Sequence, residues 1–388
     1  MLNGHSMRGF MSVPFIDLQA QRRRLNGRVE AAMMRVVDSG RFVLGEEVAQ
    51  FEAALAQFGE ARHAVGCGSG TDALALVLMA LGVGPGHAVF MPSFTFAATA
   101  EAAARLGAEP VFVDILPDTL TMDPHALEAA IAMIGREGRL EPRVVVAVDL
   151  FGQPADYPRL ASVARAYGLK LVADSAQGFG CRLHGRQPLA WADATTTSFF
   201  PAKPLGCYGD GGAVLTNDAA LAALVHSLAQ HGQGSARYTH VRVGLNSRLD
   251  AIQAAILQEK LAIFAEELVE RNAAAARYHR LLRGYVSGPT VISGGLSTWA
   301  QYTIEPADRC AVAEALHAEG VPTAIYYATP THAQPAYAHA ARGPLPVTEA
   351  KAGAVLSLPM SAYVAEAVQE KIAGVFAAMA RSGALRAA

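Results

Sequence analysis

From about residue 60 the chain alternates short, nearly uninterrupted apolar runs with longer stretches of helical spacing. This alternation constrains the fold more than any other feature. Runs at 63–67, 88–91, 110–113, 144–149 and 169–174 are rich in Val, Ala and Leu, and too short to be helices. Between them, 72–81, 97–106, 124–134 and 156–167 carry helical patterns. Strands that are apolar on both faces and separated by helices predict a mostly parallel sheet covered on both sides. Two more strands are expected at 195–200 and 212–216, followed by a long helical run over 248–283. Beyond it the texture changes to a strand at 298–304, a helix at 308–319, a strand at 322–327 and a last helix from Ala365. The reading is α/β: a large, mostly parallel sheet domain, then a smaller α+β domain.

Composition narrows the function classes. Of 388 residues, 52% are hydrophobic and 17% charged, which excludes a disordered chain. Lys and Arg number 32 against 34 acidic residues, a net charge of -2, so no field for nucleic acid is expected. A small anionic substrate needs only a few local arginines. Cys67, Cys181, Cys207 and Cys310 form no CxxC pair, so neither a zinc site nor a disulfide framework is expected, and a reducing, cytoplasmic setting fits. No metal site is read. No charge-free apolar run of 18 residues suggests a membrane span, and residues 1–12 lack a signal peptide's apolar block. Those twelve read as a disordered or vector-derived end.

Three segments carry chemistry. Gly66-Cys-Gly68-Ser-Gly70-Thr71-Asp72 lies between a strand and a helix, where free N–H groups and a hydroxyl make an anion cradle. It lacks the lysine of a Walker loop and the third glycine of a dinucleotide fingerprint. Read alone, it is equally a Gly-rich turn with Thr71 as helix cap. Asp174 follows a strand, at the end where open α/β sheets bind ligands; alone, it could be a turn cap. Lys203 is one of five lysines. Lys260, Lys351 and Lys371 have charged helical surroundings that predict solvated side chains, and Lys170 borders a strand. Lys203 sits among apolar residues, prolines and glycines. Unless it reaches solvent, desolvation lowers its pKa and makes it a usable amine nucleophile. A phosphate cradle, a strand-end carboxylate and a buried lysine together suit pyridoxal 5′-phosphate (PLP).

With these residues in place, the chain resembles the DegT/DnrJ/EryC1/StrS sugar aminotransferases, PLP enzymes of the aspartate-aminotransferase fold (fold type I). The resemblance runs from Val13 to about Pro359. It includes Ser39-Gly-Arg-Phe-Val-Leu-Gly45, Gly68-Ser-Gly-Thr-Asp-Ala73, Pro92-Ser-Phe-Thr-Phe-Ala97, Ser198-Phe-Phe-x-x-Lys203 and Gly244-Leu-Asn-Ser-Arg-Leu-Asp-Ala-Ile-Gln253. It implies a large PLP-binding domain over 13–265, whose N-terminal segment can pack on the small domain, and a small domain over 266–388. It further implies that Lys203 forms the Schiff base and shuttles the proton, and that Asp174 pairs with the pyridine nitrogen. Gly70, Thr71 and Ser198 would bind the phosphate and Phe96 would stack on the ring. Gln177, where relatives commonly have His, would lie near the pyridine face and its 3′ oxygen. Asn246 would reach the cofactor phosphate of a neighbouring subunit, so the active sites of a homodimer would be shared.

The segment 231–248, rich in Arg and His, and the segment 322–336 resemble the branch that aminates C3 of UDP-2-acetamido-2-deoxy-3-oxo-glucuronate, with glutamate as amino donor, for surface polysaccharide (O-antigen or lipopolysaccharide) precursors. Arg248 is the candidate clamp for the uronate carboxylate; otherwise it is a helix-start arginine pairing with Asp250 or Glu259. Gly40, Phe42, Tyr326 and Tyr327 are the other candidate substrate contacts. Phe42 stands where that branch usually has Tyr, and Tyr326-Tyr327 where it has His-Tyr, and both changes remove polar groups. The runner-up substrate is a dTDP-3-keto-6-deoxyhexose. Other classes fit less well. A dehydrogenase would need a dinucleotide fingerprint, a non-catalytic binding or regulatory relative usually loses the lysine, and a dehydratase of this fold typically replaces it with His.

Overall fold

The computed structural model describes residues 13–236 and 238–384. The twelve residues expected to form a disordered or vector-derived end lie outside that range. A seven-stranded sheet runs in the spatial order His63–Cys67, Gly212–Thr216, Ala194–Ser198, Lys170–Asp174, Glu141–Val148, His87–Pro92, Glu109–Val113. Six strands share one direction, and Gly212–Thr216 runs against both its neighbours.

The strand sequences explain their burial. Along Glu141–Val148, Val144 and Val146 face one side, against a core that includes the Gly70–Ala80 and Ala219–Ala229 helices. Val145 and Ala147 face the other, with Leu127, Ile131 and Leu160 from the Pro124–Glu137 and Tyr157–Ala166 helices. Alternate side chains thus enter different cores, and both must be apolar.

The 32-residue helix Ala251–Leu282 joins two cores. Its first half buries Leu257 and Phe264 with Phe51, Phe179 and Phe199. Its second half buries Tyr278 and Leu282 with Tyr302, Leu358 and Phe376. Position 265 lies inside this helix. At the N-terminal end, Val13 packs on the second core, and the Phe15 carbonyl accepts from the Met360 N–H at 3.3 Å.

One expected strand is absent. The 322–327 segment forms only the bridge between Ala324 and Ser357, on the open side of Leu356–Leu358. Pro322 has no N–H for a ladder, and beyond Ala324 the chain turns, leaving Tyr326 and Tyr327 free to face the large sheet.

Candidate active site

Six co-directional strands bring their carboxyl ends to one edge, and register fixes which residues meet there. Val148 pairs with Asp174, and Asp174 with Thr196. Gly212, opening the reversed strand, lies opposite both Cys67 and Ser198. The Gly-rich turn, Asp174 and Ser198 therefore emerge side by side.

The turn is shaped as a cradle. A Cβ on Gly70 would lie 2.6 Å from the Cβ of Ser198, and one on Gly212 would lie 2.4 Å from the Ser69 carbonyl. Only glycine permits these approaches. Ser69, rather than Thr71, caps the Gly70–Ala80 helix, accepting the Asp72 N–H at 3.1 Å. Thr71 lies in the first turn and is only half-buried. Helix N–H groups, the Thr71 position and Ser198 thus gather where an anion is favoured.

Asp174 is buried. Its carboxylate accepts from the Thr99 hydroxyl at 2.9 Å and the Ala176 N–H at 3.2 Å. Burial raises its pKa, while the Ala176 and Thr99 donors and the charge of Lys203 act in the opposite sense. Burial lowers the pKa of Lys203, and Asp174 partly restores it. Desolvation dominates both groups, which favours their neutral forms until a ligand supplies charge. Lys203 sits on a tight turn: its N–H donates to Phe200 O at 2.8 Å, and the Cys207 N–H to Phe199 O at 2.7 Å. Lys260 is not the solvated helix lysine its surroundings suggested. It is buried, donates to the Gly206 carbonyl at 2.6 Å and stands 4.2 Å from the centre of the Tyr208 ring. Burial pushes its ammonium down to about 8.

Gln177 is held at both ends. Its Oε1 accepts from the Phe151 N–H at 2.8 Å, and its Nε2 donates to the Tyr327 hydroxyl at 3.1 Å. One amide hydrogen remains for a ligand. Phe96 is largely exposed, its ring centre 6.1 Å from that of Tyr327. Tyr326 contacts Phe15 edge-on at 6.4 Å. The structure thus brings Gly70, Thr71, Phe96, Asp174, Gln177, Ser198, Lys203 and Tyr327 to one edge of the sheet.

Gly40, Phe42, Asn246 and Arg248 lie on the segments 39–43 and 246–251, which the bridge between Val43 and Asp250 holds together. Gly40 ends the Arg28–Ser39 helix with a positive φ of 64°, and the Phe42 carbonyl accepts the Ala251 N–H at 3.0 Å. Among the described residues, no hydrogen bond, ion pair or ring contact joins any of the four to Lys203, Asp174, Gln177 or Tyr327. Arg248 pairs with neither Asp250 nor Glu259; Glu259 is engaged by Arg28 and Arg35.

Sequence reasoning missed several supporting residues. Thr99 lies 75 residues from the Asp174 it serves. Ser247 accepts the Gly68 N–H at 2.9 Å and donates to Asp72 at 2.7 Å, pinning the 246–248 segment to the cradle. Asp149, at the end of the neighbouring strand, engages Ser175 and Tyr157. Thr99 and Ser247 have no local signal, because their partners lie 75 to 179 positions away in the chain.

Residues 24–377 match the model of the DegT/DnrJ/EryC1/StrS aminotransferase family. A Pseudomonas aeruginosa protein described as UDP-2-acetamido-2-deoxy-3-oxo-D-glucuronate aminotransferase is 45% identical over 91% of this chain and 96% of its own. The crystal structure of a DegT DnrJ EryC1 StrS aminotransferase from Brucella abortus superposes with a TM-score of 0.93 at 50% identity, covering 95% of this chain and 99% of that one. NtdA of Bacillus subtilis, solved with its cofactor PMP bound, gives a TM-score of 0.87 at 28% identity over 97% of this chain and 87% of its own.

The cradle yields a test. Gly70→Ala places a methyl group against Ser198, so affinity for PLP is expected to fall about tenfold or more, ~1.4 kcal/mol. Absorbance titration of the cofactor-free protein measures this, and unchanged affinity would remove Gly70 from the phosphate site.

Proposed function

The chain belongs to the DegT/DnrJ/EryC1/StrS aminotransferase family, and from that premise we propose that it moves an amino group from glutamate to C3 of UDP-2-acetamido-2-deoxy-3-oxo-glucuronate, in the making of a surface polysaccharide precursor. Its cofactor is PLP. The observation that carries the reading is that Asp174, buried at a strand end, and Lys203, near enough to feel its charge, come together beside the Gly70–Ser198 cradle. The 45% identity to the Pseudomonas enzyme supports the substrate.

The residues present fit the cofactor. The close contact of Gly70 with Ser198 sets the start of the Gly70–Ala80 helix beside the Ser198 hydroxyl, a donor set that suits a phosphate group, with Thr71 as a second hydroxyl. Bound PLP supplies the electron sink for amino transfer. Asp174, fixed by Thr99 and the Ala176 N–H, would hold a proton at the pyridine nitrogen. Phe96 would cover one face of the ring. Gln177 would offer its remaining amide hydrogen to the 3′ oxygen, with Tyr327 keeping that amide oriented. Lys203 would hold the cofactor aldehyde, and its low-pKa amine would carry the proton.

Gly40, Phe42, Asn246 and Arg248 serve the site of a second copy of the chain. The exposed apolar side chains of Met34, Val37, Phe42 and Val43 beside Gly40 and Phe42 support this, as does the exposure of Asn246. Tyr326 lines the sugar side with Tyr327. The working form is then a cytoplasmic homodimer. All four cysteines are unpaired, and no described helix is long and apolar enough to cross a membrane.

Three experiments test this reading. Borohydride reduction of the holoenzyme should fix the cofactor to the peptide containing Lys203, and Lys203→Ala should abolish both trapping and turnover; a trapped adduct on another lysine with turnover intact refutes the assignment. Mixing Lys203→Ala with Asn246→Ala subunits should recover activity through one intact site per heterodimer, whereas verified exchange without recovery refutes the shared site. Arg248→Ala should cost about 1.5–3 kcal/mol on the uronate and far less on its 6-deoxy analogue, and Arg248→Lys should already be impaired, because it keeps the charge but loses the fork. Equal losses on both sugars would leave the dTDP-3-keto-6-deoxyhexose reading in front.

A further inference from the structure

One carboxylate behind the site takes no part in the reading above. Asp149, at the carboxyl end of the Glu141–Val148 strand, is fully buried. Its Oδ1 accepts from the Tyr157 hydroxyl at 2.7 Å and the Ala155 N–H at 3.2 Å, and its Oδ2 accepts from the Ser175 hydroxyl. Its own N–H donates to the Asp174 carbonyl at 3.0 Å. The chain closes tightly over it, since a Cβ on Gly178 would lie 2.2 Å from the Asp149 Cβ. The titratable groups facing it are the Tyr157 phenol, the Cys181 thiol and the Asp174 carboxylate. Arg182 acts on Cys181, and no ion pair reaches Asp149 among the described residues.

A buried carboxylate held only by neutral donors, with a second carboxylate nearby and no cation, resists ionisation. We propose that Asp149 is a proton-carrying positioning residue beneath Asp174: protonated, it leaves Asp174 as the only negative charge behind the site, and ionised, it adds a second one that strengthens the hold of Asp174 on a proton. The link to catalysis rests on the reading of Asp174 given above. The step is a simple loss of one proton to solvent. Burial, with smaller contributions from its three donors and from Asp174, sets that loss at about 7, so both states occur near neutrality.

The sign follows from linkage. The folded protein keeps the Asp149 proton to higher pH than the unfolded chain does. The stability associated with that proton is complete below the ordinary carboxylate range and is lost as pH rises to about 7. Asp149→Asn mimics the protonated form: its oxygen can accept from Tyr157 and Ala155, and its amide can donate to Ser175.

Cofactor-free wild type and Asp149→Asn are compared by chemical denaturation from pH 5 to 8.5. The folding constant of wild type relative to the variant should fall about tenfold per pH unit up to about pH 7 and then level off. Tyr157→Phe removes a donor to the ionised carboxylate, so its breakpoint should lie higher, and this variant decides the matter if Asp149→Asn does not fold. A ratio flat in pH, or an unmoved breakpoint in Tyr157→Phe, overturns the proposal. In the PLP-loaded protein, Asp149→Asn should lower the pH midpoint of the cofactor's absorbance change by about half a unit or more, the scale of one missing interior charge. An unmoved midpoint overturns the coupling to Asp174. Absence of lysine-bound PLP would instead sink the functional reading, while the cofactor-free comparison still decides Asp149.

Discussion

Six strands that point the same way deliver their last residues to a single edge, and every chemical feature of this protein depends on that constraint. Cys67, Pro92, Val148, Asp174 and Ser198 end neighbouring strands, so the segments that follow them converge. The reversed strand Gly212–Thr216 completes the geometry. Lying opposite both Cys67 and Ser198, it brings glycine, with no side chain, to the one place where the Gly-rich turn must press against a neighbouring strand. A parallel register there would put a different residue opposite Ser198.

The electrostatics follow from how deeply that edge is buried. Asp174 and Lys203 are both displaced toward neutrality by burial and pulled back by each other and by local donors. Such a pair is poorly solvated and ready to exchange its protons with a charged aromatic ligand rather than with bulk water. The same burial acts one strand away on Asp149 and, on the far side of the lysine turn, on Lys260, whose ammonium binds the Gly206 carbonyl. Polar groups thus surround the centre as fixed hydrogen-bonded partners.

In the 246–248 segment, consecutive residues face in opposite directions. Ser247 turns inward and bonds both Gly68 and Asp72. Asn246 is left exposed and Arg248 half-buried, with no ion pair to it among the described residues. An arginine kept free of nearby Glu259, which Arg28 and Arg35 occupy, retains its fork for an external anion.

By itself the sequence determined the strand–helix alternation, and with it a two-faced sheet, because apolar runs of four to six residues between helical stretches are best buried as strands covered on both faces. It also singled out Lys203, Asp174 and the Gly66–Asp72 turn, because their residue types are out of keeping with their local surroundings. Tertiary structure alone decided the rest. The reversal of Gly212–Thr216 and the loss of the 322–327 strand depend on hydrogen-bond partners supplied by distant segments. Thr99 on Asp174, Tyr327 on Gln177, Lys260 on the lysine turn and Asp149 behind Ser175 are contacts between residues 26 to 150 positions apart. Local propensity cannot encode such pairings, because each exists only after the sheet has brought its strand ends together.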